Sequence, residues 1–395
     1  MRGLIERFML ALRRLPGWSP MPGPSPRKGR EPVDHVILLD GTLGSLKPEK
    51  ITSIGILYHF LRRAAPRLSL YYGKGLQWRE WRDLSEVWLG WGVDRQIERA
   101  YGWLASRYRP GDRIYLIGYS RGAFAARSLA GMIGQIGLLR SEEAIERHVI
   151  AAWRLYEGQG TDDTVAEFRA ALCHPETPIE LVGVFDTVMG LGIQLPVLWM
   201  LSEPKYRFHN HHLGPHVRFG AQALALDETR SIFEPLIWDS DETGADRIEQ
   251  KWFRGSHADI GGQLGEAEEA RALANIPLVW MIGRMQRAGI PLPDGWAERF
   301  ETDVSAPSVG TWHGVGRLFW LRAPRVAGRD PSESLHPSAL QRAGKPKANL
   351  RPHLKAAFMQ VSGSVRRPHD KAGGGSGGVK AAILDAANLA ARDTG

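Results

Sequence analysis

A serine hydroxyl attacks an ester carbonyl only when a base takes its proton and donors receive the charge that builds on the carbonyl oxygen. Gly118-Tyr119-Ser120-Arg121-Gly122 has the residue types for the first part of that chemistry. It is a G-x-S-x-G turn with an apolar run, Arg113 to Tyr119, leading in and a helical stretch rich in Ala and Gly, Ser120 to Gly134, leading out. In such a strand-to-helix turn the residues two before and two after the serine must be small to clear the neighbouring strand and helix. Gly118 and Gly122 meet that need. The Ser120 hydroxyl would then lie at a helix N-terminus, where free N–H groups and the helix dipole favour negative charge.

The base and its orienting acid should follow in the chain order nucleophile, acid, histidine. Asp186 ends the apolar run Glu180 to Phe185, 66 residues after Ser120. His257 lies later, between Gly255 and the pair Gly261-Gly262, where the backbone can approach a site closely. Asp40 and Asp227 are rival acids, and Asp259 stands too near His257 in sequence to orient its ring. The oxyanion hole should use the amide of Arg121 together with that of Gly41 or Thr42, in the loop Asp40-Gly41-Thr42 after the first core strand. Asp40 itself is expected to fix that loop. The histidines of His209-Asn210-His211-His212-Leu213-Gly214-Pro215-His216 match no metal-ligand spacing and read as a polar loop. Neither a metal nor a cofactor is expected.

Such residues need a rigid frame. Val33 to Leu39, Leu68 to Tyr72, Arg113 to Tyr119, Pro178 to Phe185 and Ile248 to Arg254 read as strands, with helices at Ile51 to Arg63, Ile97 to Tyr108 and Ser120 to Gly134. The alternation predicts a mostly parallel central sheet with helices on both faces, and with the G-x-S-x-G turn it makes the expected fold class an α/β-hydrolase. The apolar run Val188 to Leu201 is too short to span a bilayer and predicts a cap insertion, helical and apolar, either a buried cap helix or a lid beside the site.

Residues 33–340 are therefore expected to form the catalytic domain. Residues 1–32 read as an amphipathic helix (Leu4, Phe8, Ala11, Leu12 and Leu15 on one face) followed by a Pro-rich linker. Residues 341–395 read as a basic, Gly-rich tail. The charge follows this division. The protein carries +8 overall, but residues 1–30 hold +6 and residues 342–371 hold +7, which leaves the body between them mildly acidic. Basic ends suit contact with anionic surfaces, and peripheral membrane contact is the reading adopted, with no nucleic acid expected. The N-terminal segment is too short and too charged to span a bilayer and has no small-residue cleavage site, so it makes a poor signal peptide. The protein is expected in the cytoplasm or at a membrane periphery, with export by a non-Sec route compatible. The single cysteine, Cys173, excludes an internal disulfide and reads as an incidental thiol.

Several of these segments resemble one bacterial family, the type VI secretion lipase-effector (phospholipase-like) α/β-hydrolase domain. The similar blocks are Leu39-Asp40-Gly41-Thr42, Tyr119 to Phe124, Val184 to Val188 and His257 to Gly262, in that order, with Ala223 to Glu228 and Leu335 to Ser338 also similar. The resemblance spans roughly residues 33–340. It implies a Ser120–Asp186–His257 hydrolase acting on phospholipid or other esters. The family usually has Trp where this chain has Phe185, and Ser where it has Ala258. The expected activity is thus cleavage of carboxylic esters, with a lipid or ester substrate. A soluble small-ester hydrolase and a catalytically silent membrane- or partner-binding protein are the alternatives on the same fold.

Overall fold

The computed structural model describes residues 30–75, 91–188, 212–240, 245–312 and 320–365. The N-terminal amphipathic stretch, most of the apolar cap run, His209, His211 and the Gly-rich tail lie outside the described residues.

Nine strands form in chain order among the described residues: β1 (Asp34–Leu39), β2 (Ser69–Gly73), β3 (Arg113–Tyr119), β4 (Ile179–Phe185), β5 (Val217–Ala225), β6 (Ile248–Phe253), β7 (Val326–Ala327), β8 (Glu333–Leu335) and β9 (Asn349–Leu350). Seven make one sheet in the order β2-β1-β3-β4-β5-β6-β8, and every neighbouring pair is parallel. The protein is an α/β fold. All of β1 and six of the seven residues of β3 are buried, as a parallel sheet covered on both faces requires.

The helices are α1 (Ser53–Ala64), α2 (Trp91–Ala105), α3 (Arg121–Ile136), α4 (Glu146–Tyr156), α5 (Asp162–Leu172), α6 (His257–Gly261), α7 (Arg271–Arg287), α8 (Pro337–Gln341) and α9 (Pro352–Val365). Side chains alternate along each strand, so the sheet feeds two separate cores. Ile37, Leu39 and Leu116 pack with Ile97 and Tyr101 of α2 and Phe124 and Leu129 of α3. Val36, Leu38, Ile117 and Tyr119 pack on the opposite face with Ile54 and Leu57 of α1 and Met281 and Met285 of α7. A third cluster joins Leu224 and Trp252 at the far edge of the sheet to Ala327, Ala339, Ala348 and Leu354. Residues 342–354, in the segment the sequence pattern assigned to a tail, thus pack against the sheet. Arg254 Nη1 donates to Gly344 O at 2.9 Å and Lys347 N donates to Asp227 Oδ1 at 3.0 Å there.

Chain direction reverses its lateral progress between β1 and β3, the place where open parallel sheets receive ligands at the carboxyl ends of their strands. The connections that follow β1, β3, β4, β5 and β6 all begin at that end, where Asp40, Ser120, Asp186, Glu228 and His257 lie. No helix among the described residues is long and apolar enough to cross a membrane.

Candidate active site

Ser120 occupies the connection between β3 and α3 at φ 57°, ψ −120°. Non-glycine residues at positive φ are strained by about 1–3 kcal/mol. Among the described residues only Leu43, Ser120 and Asp186 adopt such angles, and all three lie at the carboxyl end of the sheet. The flanking glycines are required by space. A Cβ at Gly118 would stand 2.3 Å from the Gly122 carbonyl, and one at Gly122 would stand 2.2 Å from the Leu39 carbonyl.

The fold brings the three expected side chains together. His257 Nε2 lies 2.9 Å from Ser120 Oγ, and His257 Nδ1 lies 2.6 Å from Asp186 Oδ2. Register explains the meeting. Tyr119 pairs with Phe185 across β3 and β4, so Ser120 and Asp186 leave adjacent strands at the same level, and their amides extend the ladder to Phe185 O and Ala223 O. His257 arrives two strands further along, and it opens the short helix α6 instead of sitting in a loop as its glycine neighbours suggested. The turn before α6 is held by Asp259, whose Oδ2 accepts from Ser256 N at 2.7 Å and Ser256 Oγ at 2.8 Å.

The imidazole is clamped on both faces. Phe233 stacks on it with centroids 4.6 Å apart and planes 10° apart, and Tyr119 covers the other face at 5.0 Å. The Arg230 guanidinium lies 4.3 Å over the Phe233 ring and pairs with Glu228 through Nε and Nη2. Glu228 Oε2 also accepts from the His257 amide at 3.1 Å. Burial would raise the Glu228 carboxyl, but Arg230's hydrogen bonds and charge bring it down to about 2. His257 is thus fixed at its backbone by an ionised glutamate and at its ring by two aromatic side chains.

Asp186 is fully buried and its carboxylate is saturated. Besides His257 it receives Arg325 Nη1 on Oδ1 at 2.7 Å, Arg325 Nη2 on Oδ2 at 2.8 Å, and the Ala225 amide on Oδ1 at 3.0 Å. Burial opposes its ionisation, and the bidentate Arg325 guanidinium with the His257 hydrogen bond overrides that, holding the carboxyl well below the usual carboxylate range. Arg325 also donates to Ala225 O and Phe233 O, which couples Asp186 to the ring that stacks on His257. Sequence reading missed Arg325, because it lies 139 residues from Asp186 in a segment with no motif.

The loop after β1 lies against Ser120, whose Cβ would be 3.2 Å from a Cβ added at Gly41. Asp40 accepts from the Gly41 amide at 2.8 Å, Thr52 Oγ1 at 2.8 Å and Tyr72 Oη at 2.6 Å. It fixes the loop to α1 and β2, and burial pushes its carboxyl up to about 6 against those three hydrogen bonds. Of the two amides expected from this loop, that of Gly41 is directed at Asp40. Thr42 Oγ1 is buried and has no hydrogen-bond partner.

The rival candidates serve elsewhere. Asp227 receives Arg254 Nε and the Gly255 amide, each at 2.8 Å. Asp259 caps α6 and also binds Ser308 Oγ and the Val309 amide. His216 Nε2 lies 2.8 Å from Ala130 O, and no group of three potential metal-ligating side chains occurs among the described residues. Cys173 is buried, its thiol pushed up to about 12 by desolvation, which makes it a packing residue.

An uncharacterized protein of Saccharomyces cerevisiae is 30% identical over 230 residues, an alignment that covers 51% of this chain and 32% of the yeast protein. The chain thus spans about a third of that relative. A crystal structure of an uncharacterized protein from Pseudomonas aeruginosa is similar at 15% identity, with a TM-score of 0.38 and coverage of 75% of this chain and 49% of that one. The Tle1 effector bound to the VgrG spike from the type 6 secretion system is similar at 16% identity, with a TM-score of 0.31 and coverage of 58% and 51%. The family model for the catalytic domain of Tle1-like phospholipase effectors of the type VI secretion system matches residues 34–284. That span runs from β1 into α7 and includes Ser120, Asp186 and His257, and the chain belongs to this family.

Proposed function

We propose that the protein is a serine hydrolase that cleaves the carboxylic ester bonds of phospholipids. The observation that carries this reading is the unbroken hydrogen-bond chain from Ser120 Oγ through His257 to Asp186, at 2.9 and 2.6 Å. Membership in a phospholipase-effector family supports the lipid substrate. The basic ends, +6 over residues 1–30 and +7 over residues 342–371, suit an anionic membrane surface, and the effector family supports export by a non-Sec route.

The chemistry is acyl transfer to water. His257 takes the Ser120 proton as Oγ attacks the ester carbonyl, then returns it to the leaving alcohol; in the second half it activates water against the acyl-enzyme. Asp186 keeps the proton on Nδ1, so that Nε2 faces the serine as an acceptor, and it stabilises the imidazolium that forms. The amides of Arg121 and Thr42 hold the oxyanion, because the Gly41 amide is directed at Asp40. One such donor contributes about 3–4 kcal/mol to the transition state.

The test is product identity. Wild-type protein incubated with phosphatidylcholine vesicles should release free fatty acid and lysophospholipid in equal amounts, read by mass spectrometry. Release of diacylglycerol or phosphatidic acid would mean attack at phosphorus and would overturn the reading. Hydrolysis confined to dissolved p-nitrophenyl butyrate would leave a serine esterase and remove the lipid substrate. No hydrolysis of either would favour a silent binding protein on the same fold.

A further inference from the structure

Only five large apolar side chains among the described residues are strongly exposed. Ile145 and Met359 lie elsewhere in the chain, but Trp312, Trp320 and Leu321, at 60, 87 and 61% exposure, belong to two described segments that meet, 311–312 and 320–323. Arg322 lies 3.9 Å over the Trp312 ring and donates through both Nη atoms to Thr311 O at 3.1 Å. The cluster is also fastened to the rim of the active site. The Ser231 amide donates to Leu321 O at 3.1 Å, the Ala323 amide donates to Thr229 O at 2.8 Å, and Phe233, two residues from Ser231, stacks on His257.

We infer that Trp312, Trp320 and Leu321 form the surface through which the protein settles on a phospholipid–water interface, with the active site facing the bilayer. This inference rests on the lipolytic reading above and names how substrate is met. Large apolar side chains grouped in water mark a contact surface, whereas scattered ones do not. Indole suits the lipid interface, since its ring enters the acyl boundary while its N–H stays at headgroup level. Arg322, over the Trp312 ring, adds positive charge beside the cluster, which favours a phosphate-bearing surface. A protein partner would also cover an apolar surface, but this one is hydrogen-bonded to the segment whose Phe233 stacks on His257, where a stably bound protein would obstruct the approach of lipid.

The test separates binding from turnover. In a Ser120→Ala background, the full-length protein and its Trp320→Ser/Leu321→Ser variant are sedimented with phosphatidylcholine vesicles at 0.5 M salt, which screens the basic ends. The variant should bind at least about tenfold more weakly, the scale expected for withdrawing two large apolar side chains from an interface. With Ser120 restored, vesicle hydrolysis should fall by a similar factor, while kcat/KM on p-nitrophenyl butyrate and the unfolding temperature stay at wild-type values. Equal vesicle binding by the two proteins overturns the inference and leaves the surface to a protein partner. A parallel loss on the soluble ester overturns it too, since the residues would then act on the site itself. If wild type hydrolyses neither substrate, the lipolytic reading fails, and sedimentation still decides the surface.

Discussion

Ser120→Ala should lower kcat on carboxylic esters by about 10⁶-fold, His257→Ala by nearly as much, and the double variant should be no slower than either. The three side chains form one relay. Ser120 Oγ sits 2.9 Å from a base whose other nitrogen is held by a buried carboxylate, so losing either end disables the same step. Independent contributions would multiply, and a relay gives non-additive losses. The residual rate should stay above that of water, because the Arg121 and Thr42 amides and the substrate contacts remain. Removing one hydroxyl that is nearly buried takes away no charge and no core volume to speak of, so the unfolding temperature should hardly move. A Ser120→Ala variant within tenfold of wild type, folded and saturable, would sink the assignment of Ser120 as nucleophile.

The second large effect belongs to the pair Asp186 and Arg325. Asp186→Asn should lower kcat by about 10⁴-fold and also destabilise the fold by about 3–5 kcal/mol, because Arg325 is left as a buried cation without its carboxylate. All four hydrogen bonds to Asp186 come from donors, namely His257, both Nη atoms of Arg325 and the Ala225 amide. An asparagine amide nitrogen would face a donor whichever way it turned. Arg325→Met should give a comparable loss of stability with a smaller loss of kcat, since the Asp186–His257 hydrogen bond survives. Arg325→Lys should rescue only in part, because a point charge cannot span both carboxylate oxygens.

Protonation gives this pair a signature that a cavity would not. In wild type the Asp186 carboxyl is held below its unfolded value of 3.8, so its contribution to stability is present above that pH and is lost as the pH falls through the folded value. In Arg325→Met, burial is no longer offset by the guanidinium, and the carboxyl shifts upward, so its protonated form favours folding. The stability gap between wild type and Arg325→Met should therefore be widest at pH 7 and narrow below pH 4, measured by urea unfolding. The charged or titratable neighbours that remain, His257, Tyr119, Glu228, Arg230 and Glu234, are common to both proteins. A gap that stays constant with pH would show that Arg325 acts through packing alone.

Much of the frame could be read from local pattern, because the central strands are continuous apolar runs bounded by turns. β3 matches the expected bounds, and β1, β4 and β6 differ from them by a residue or so. The residues that spacing singled out, Ser120, Asp186 and His257, are the ones the fold brings within hydrogen-bond distance. β5 escaped notice because Gly220 and Gln222 interrupt its apolar pattern. Gln222 is tolerated at the centre of the sheet since Thr187 Oγ1, Gln250 Oε1 and Leu236 O satisfy its amide. α7 was hidden by Pro277 within it.

What local pattern cannot supply is the environment of Ser120, Asp186 and His257. Glu228 lay in a block noted for its likeness to the family, but nothing in its neighbours says that it would hold the His257 amide. Phe233 ends a three-residue 3-10 turn and Arg325 lies in an irregular segment, and the positions of both follow from the whole chain. Arg325 lies beyond residue 284, where the match to the catalytic-domain family ends, yet it pairs with the buried Asp186 carboxylate. The segment that carries it pairs as β7 with β9, drawing residues 326–350 against the edge of the sheet. Long-range packing decides such contacts, and no sequence period records them.

The central claim is that Ser120 is a nucleophile activated by His257. The most direct test is to expose the folded protein to a fluorophosphonate and read the intact mass, followed by peptide mapping. The expected result is a single adduct on the peptide containing Ser120 in wild type, formed far more slowly in His257→Ala and absent in Ser120→Ala. Ester hydrolysis that proceeds with Ser120 unlabelled, or an adduct on another serine that abolishes activity, would contradict it.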